Sequence, residues 1–407
     1  MKILCFADYY LPGFKAGGPI RALSNLVDAF AGEIDFDIVT REYDLGGERY
    51  PDVTRGAWHN VGAARVRYVG ERGLLRSELR RMLLDASYDA VYLNSMFSPL
   101  SRAVLRERFL AGATRPLIIA PRGEFSRAAL KLKSIRKTAY LALLKRIGAL
   151  KAIFWQASSA HEADDIKAII GDRASIFVTQ EIPGQPAGIV ERASKRSGTA
   201  AVTFLSRICR MKNLDTAIEV LSGVKGNVEF AVYGPIEDRD YWGAAVRAAS
   251  QLPDNIKFTY KGVIPQDSVA TVLAHSDLFL LPTRGENYGH VIIEALAAGC
   301  PVLISDRTRW RDLELAGIGW DVSLNDLAGF RSALEHVIQM GEDQHSRMRA
   351  NARDYALRVQ TDTAVIAQNR QLFEAAAGNG NMRNGSIKAD AEFATHFAGA
   401  TQSRGIR

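Results

Sequence analysis

The chain has 407 residues, 47% hydrophobic and 24% charged, with a net charge of +7. That length suits two domains with a core each, and the composition is that of a soluble globular protein, which sets aside disordered and fibrous classes. No apolar run reaches the roughly 18 residues of a membrane span, the N-terminus lacks the apolar core of a signal peptide, and Cys5, Cys209 and Cys300 are far apart with no CxxC pair, which excludes a disulfide framework and fits a reducing cytoplasm.

The first half alternates short apolar runs with helical patterns. Strands are expected at Ile3–Ala7, Phe36–Thr40, Val66–Val69, Ala90–Leu93, Leu117–Ala120, Ile153–Gln156 and Ile176–Thr179, with helices including Pro19–Phe30, Arg76–Asp85 and Arg136–Ile147. Strands separated by helices imply a parallel sheet covered on both faces. A turn-rich polar stretch beginning Ile182-Pro-Gly-Gln-Pro reads as a linker over 185–200 after a first domain of 1–184. The pattern then restarts: strands at Ala201–Leu205, Val228–Tyr233, Ile256–Tyr260, Leu278–Leu281 and Pro301–Ile304, and a helix at Leu214–Ser222. This predicts an α/β fold of two Rossmann-like doubly wound units with a ligand cleft at the carboxyl ends of their strands. The second unit spans 201–360. A helix over 361–377 is expected to pack back on the first domain, and the Gly/Asn/Ser-rich tail 378–407 to be disordered.

The positive charge calls for an anionic partner: a phosphorylated substrate, a membrane surface or nucleic acid. No zinc finger, RRM-type aromatic motif or basic zipper is present, so nucleic acid is set aside. Between Arg122 and Lys151 nine basic residues (Arg122, Arg127, Lys131, Lys133, Arg136, Lys137, Lys145, Arg146, Lys151) face a single acid, Glu124, with Leu, Ile and Tyr interleaved. The pattern has two readings, a basic amphipathic helix on anionic lipid or a solvated helix face.

Chemistry concentrates at Pro282 to Pro301. Leu278–Leu281 leads into a loop with Gly285 and Gly289 and then a helical run, and the stretch carries Glu286 and Glu294 with seven residues between them. A helix start aims free N–H groups at an anion, and each carboxylate can accept from two adjacent hydroxyls. A ligand with both phosphate and hydroxyls, such as a nucleotide sugar, fits. A second loop, after strand Ala201–Leu205, holds Ser206, Arg207, Lys212 and Asn213; a third holds Gly17-Gly18 beside Lys15 and Arg21; a fourth is Pro121-Arg-Gly-Glu124. Asp35-Phe-Asp37 and Asp238-Arg-Asp240 match a metal-binding D-x-D pattern but read as surface residues, and no metal site follows. His290 reads as an aromatic or capping residue.

Gly-Glu-Asn-Tyr-Gly-His290 running into Glu294-Ala-Leu-Ala-Ala-Gly-Cys-Pro-Val302 is similar, almost residue for residue, to the E-x7-E motif of the retaining GT-B glycosyltransferases of family 4, the group 1 glycosyl transferases, and the likeness extends over about residues 1–375. The resemblance implies a metal-independent retaining transferase of a cell-surface polysaccharide or glycolipid, with a nucleoside diphosphate sugar as donor substrate and no other cofactor. It implies that Glu286 and the loop Asn287, Tyr288 and Gly289 seat the donor sugar, that Glu294 grips the ribose, and that Arg207 and Lys212 hold the diphosphate as in the family's G-R-x4-K segment. Ser206 and Asn213 stand where the family favours glycine. Gly17 and Gly18 resemble its N-terminal glycine loop. Where many relatives carry a histidine near the reacting carbon, this chain has Arg122; Glu124 beside it is a candidate catalytic base or acceptor-orienting group, or a structural partner of Arg122 or Arg127. The acceptor implied is a saccharide or lipid-linked saccharide at the cytoplasmic face of a membrane. Two other classes share the fold: a nucleotide-sugar 2-epimerase, and a non-catalytic protein that docks on a membrane.

Overall fold

The computed structural model describes residues 1–70, 73–126, 129–130, 134–186, 188, 190–192 and 194–378. Two sheets form. The first holds β1 (Lys2–Phe6), β2 (Asp35–Arg41), β3 (Trp58–Val61), β4 (Ala64–Val69), β5 (Ala90–Leu93), β6 (Leu117–Ile119), β7 (Ile153–Ala157) and β8 (Ser175–Val178) in the order β3-β4-β2-β1-β5-β6-β7-β8. The second holds β9 (Thr199–Leu205), β10 (Asn227–Tyr233), β11 (Ile256–Gly262), β12 (Leu278–Leu281), β13 (Val302–Ser305) and β14 (Gly319–Val322) in the order β11-β10-β9-β12-β13-β14. All pairings are parallel except the β3–β4 hairpin at the edge of the first sheet.

The apolar runs are continuous because both faces of each sheet are covered. On β1, Leu4 and Phe6 enter one core layer while Ile3 and Cys5 enter the other, as period-two alternation requires. The covering helices of the first half are α1 (Gly18–Ala29), α2 (Arg76–Leu84), α3 (Pro99–Ala111), α4 (Ser134–Arg146) and α5 (Ala160–Ile170). The second half adds α6 (Leu214–Leu221), α7 (Arg239–Ala249), α8 (Gln266–Ala274), α9 (His290–Ala297), α10 (Leu327–Gln339) and α11 (Glu342–Gln360). A final helix, α12 (Thr363–Ala377), is capped by Asp362 and returns to the first sheet, where Phe373 meets the rings of Phe30, Phe36 and Tyr92 edge-on at 6.1, 5.8 and 5.7 Å.

Two expectations are corrected. Helix α4 has no single apolar stripe: Leu141 and Leu144 are buried, whereas Leu143 and the following Ile147 face solvent among Lys145 and Arg146. Of the D-x-D aspartates read as surface residues, Asp35 and Asp240 are exposed and Asp238 is a half-exposed cap of α7, but Asp37 is buried and gripped by Arg65 and the Tyr88 hydroxyl. Arg127, Lys131, Lys133 and the tail beyond Gly378 lie outside the described residues.

Candidate functional site

In each sheet the strand order reverses direction once, between β1 and β5 in the first and between β9 and β12 in the second. The loops leaving β1, β9 and β12 at their carboxyl ends are three of the four loops singled out above. All three line one cavity of about 320 Å³ between the sheets, together with Gln266, Arg122 and Glu181. Open α/β sheets bind ligands at such switch points.

Local sequence sets each loop. Gly17 adopts φ 68°, ψ −121° as the residue before α1, a conformation that effectively requires glycine. Asn213 precedes α6 with φ 63°; asparagine tolerates the left-handed region best among residues with a side chain, which explains its presence where glycine is common. Its Nδ2 donates to the Pro282 carbonyl at 2.7 Å and its Oδ1 accepts from Arg284 Nε at 2.9 Å. The loops after β9 and β12 are thereby fastened together. Gly289, at φ 82°, opens α9 with no side-chain cap, so that helix presents its N-terminal N–H groups at the cavity.

The charged groups around the cavity are paired with one another. Lys212 Nζ lies 2.5 Å from Glu286 Oε1, both nearly buried. Arg21, reaching from α1 across the cleft, donates Nε and Nη2 to Glu294 Oε1 at 2.9 and 2.8 Å, and Gln266 Nε2 reaches the same oxygen at 3.3 Å. Arg207 bonds Glu237 at 2.6 Å near the surface.

The structure thus gathers Gly17, Gly18, Arg207, Lys212, Glu286, Asn287, Tyr288, Gly289 and Glu294 around one cavity. It qualifies two of them. The Tyr288 ring is packed against Trp310 and His290, with the residue only 3% exposed, so its side chain serves the core. Asn287 turns toward the first half, where its Oδ1 lies 3.0 Å from Ser158 Oγ and its Nδ2 donates to Glu181 at 3.2 Å.

Glu124 has its partners elsewhere. It does not line the cavity. Its carboxylate accepts from Ser95 Oγ at 2.8 Å and from the backbone N–H groups of Met96 and Phe97 at 2.6 and 3.3 Å. These bonds tie it to the turn after β5, and burial pushes its pKa above the usual carboxylate range. Arg122 does face the cavity, and its partner is Glu181 at 2.8 Å. Burial works against the Arg122 charge, but Tyr92 and Glu181 hold the guanidinium protonated. Burial likewise opposes the Glu181 charge; Arg122 and His290 outweigh it and bring its pKa down to about 2. Glu181, Ser158, Glu162 and Gln266 were missed in the sequence, where nothing near them marks a site.

Residues 189–355 match the family model described as Glycosyl transferases group 1. Among curated relatives, a 2-deoxystreptamine N-acetyl-D-glucosaminyltransferase of Niallia circulans is 34% identical over 109 residues, 26% of this chain and 27% of that protein. A 2-deoxystreptamine glucosyltransferase of Streptomyces kanamyceticus is 31% identical over 121 residues, 28% of this chain and 30% of that protein. The chain therefore spans less than a third of the length of these relatives. Among solved structures, sucrose-phosphate synthase from Thermosynechococcus elongatus superposes with a TM-score of 0.66 at 15% identity, over 92% of this chain and 98% of that one. HepE of Anabaena in complex with UDP-glucose gives 0.62 at 16% identity, over 93% and 100%. WaaG, a glycosyltransferase involved in lipopolysaccharide biosynthesis, gives 0.61 at 15%, over 93% and 100%. The chain thus has the GT-B fold, and its residues 189–355 form a Glycosyl transferases group 1 domain.

Proposed function

We propose that this protein is a glycosyltransferase that moves a sugar from a nucleoside diphosphate donor to an acceptor hydroxyl with retention of anomeric configuration. One observation carries this reading: Glu286 and Glu294, Arg207 and Lys212, and two glycine-led helix starts meet in a single cleft at the switch points of both sheets. Glu294 takes the ribose hydroxyls; Arg207 and Lys212 take the diphosphate; Glu286 and the backbone of 287–289 take the sugar. In the step proposed, the bond from the anomeric carbon to the diphosphate oxygen breaks and its electron pair stays on that oxygen. Arg207, Lys212 and the α9 N-terminus stabilise the growing charge, so no metal ion is called for. The acceptor oxygen bonds to the same face of the carbon, and its proton passes to the departing diphosphate.

For the acceptor we favour a saccharide, free or lipid-linked, presented at the cytoplasmic face of a membrane; the support is exposed Leu143 and Ile147 beside Lys145 and Arg146. The curated relatives' names favour a second reading, an aminocyclitol acceptor. A thermal-shift panel of nucleotide sugars tests the donor assignment: a true donor at about 100 times its dissociation constant stabilises the fold by about 2.7 kcal/mol. Anomeric NMR of the product then reports retention, and conversion of the donor's sugar without any acceptor would instead indicate an epimerase. A chain that no nucleotide sugar stabilises, and that transfers to neither acceptor class, would sink the proposal.

A further inference from the structure

Glu181 stands three residues beyond the end of β8, where the chain leaves the first sheet for the second. Its side chain is 5% exposed and both oxygens are engaged. Oε1 accepts from Arg122 Nη1 at 2.8 Å and from Asn287 Nδ2 at 3.2 Å, and Oε2 lies 2.7 Å from His290 Nε2. Arg122 belongs to the first half, whereas Asn287 belongs to the loop that carries Glu286 and His290 opens the helix α9 that follows it. A single buried carboxylate therefore joins the cation of one half to the sugar loop of the other.

Arg122 is itself fixed. Its Nε donates to Asn94 at 2.8 Å and its Nη2 to the Tyr92 hydroxyl at 2.9 Å. That hydroxyl donates to Gln156, whose amide reaches Thr179 and, in α12, Asn369. The Arg122 backbone is left-handed, φ 54°, a costly conformation for a residue with a side chain, and such strain persists only where surroundings enforce it. Beside it, the Gly123 N–H donates to Glu162, which also accepts from Ser158 N and Oγ, and that Oγ lies 3.0 Å from Asn287 Oδ1. The Asn287 amide is thus held at its Nδ2 by a first-half carboxylate, with the Ser158 hydroxyl beside its oxygen.

We propose that Glu181 is a positioning residue for the donor sugar: anchored on Arg122, it holds the Asn287–His290 loop in its sugar-facing shape across the cleft. The role rests on the glycosyltransferase reading. The nucleotide is left to Arg207, Lys212 and Glu294, none of which bonds Glu181. Loss of the tether should therefore weaken recognition of the sugar and spare that of the nucleotide.

The test compares the full-length wild type with Glu181→Gln, which keeps the side-chain size and removes the charge. Calorimetry gives the affinities for UDP and UDP-glucose, and amide hydrogen exchange on the ligand-free proteins follows the segment 285–291. UDP affinity should stay within about two-fold and UDP-glucose affinity should fall at least about ten-fold. Exchange across 285–291 should quicken at least about ten-fold, with β9 and β12 unchanged. Unchanged exchange in that segment overturns the proposal whatever the donor. Equal losses for UDP and UDP-glucose also overturn it, because they mark a general structural role. If no nucleotide sugar of the thermal-shift panel binds the wild type while exchange responds as expected, the glycosyltransferase reading fails and the tether stands.

Discussion

Lys212 and Glu294 carry the sharpest expectations at the scale of single residues. Each is nearly buried or half-buried beside one main partner, Glu286 and Arg21, so truncation removes a charged group from the cleft and leaves the core packing intact. Lys212→Ala and Glu294→Ala should each cut donor-dependent transfer by about 10²–10³-fold, the loss typical of a removed charge-stabilising group, with circular dichroism unchanged; full activity in both would refute the donor site. Glu181 makes a different prediction. Its pKa falls from 4.5 to about 2 in the folded protein. A depressed carboxyl stabilises the fold above its unfolded pKa, and that stability drains away as pH falls from about 4.5 through about 2. Melting temperatures between pH 5 and 2 should drop less steeply in Glu181→Gln than in wild type. Glu286 and Glu294 were legible because they sit in a dense local string. Glu181 was not, because its partners at Arg122, Asn287 and His290 are remote in the chain and nothing in Gln-Glu-Ile-Pro announces them.

At the scale of elements, the glycines after strands set the site's shape. Gly234 ends β10 with φ 130°, and a Cβ there would stand 1.8 Å from the Ser206 carbonyl oxygen. That neighbour is backbone, so the clash cannot be relieved by a rotamer change. Gly234→Ala should push Ser206 and Arg207 aside, costing roughly 1–3 kcal/mol of stability and weakening nucleotide binding without touching the ligand; denaturant melts and UDP calorimetry check both halves. The buried central strands were readable because runs such as Leu-Phe-Leu-Leu have no other plausible home. The edge strands β3 and β14 escaped notice. Their sequences, Trp-His-Asn-Val and Gly-Trp-Asp-Val, are short and half polar, as edge positions allow. Helix α4 kept two readings open for a related reason: spacing alone does not say which of Leu141, Leu143 and Leu144 the fold will bury.

At the scale of the whole molecule, α12 ties the two ends of the chain together. Phe373 is fully buried against three aromatic rings of the first half. Phe373→Ala should cost about 3–5 kcal/mol, read as a lowered urea midpoint, whereas Leu315→Ala, at a site 91% exposed, should shift it by no more than about 0.5 kcal/mol. The same helix carries Asn369, the far end of the polar chain that reaches Arg122.

That crossing has a consequence for biosynthesis. A ribosome delivers Phe30, Phe36 and Tyr92 long before residues 363–377 leave the exit tunnel. The first-made half therefore waits with an aromatic face uncovered, and it is completed only after the second half has been translated. Although domains generally fold in order as they emerge, here the second sheet is in effect an insertion within the first folding unit.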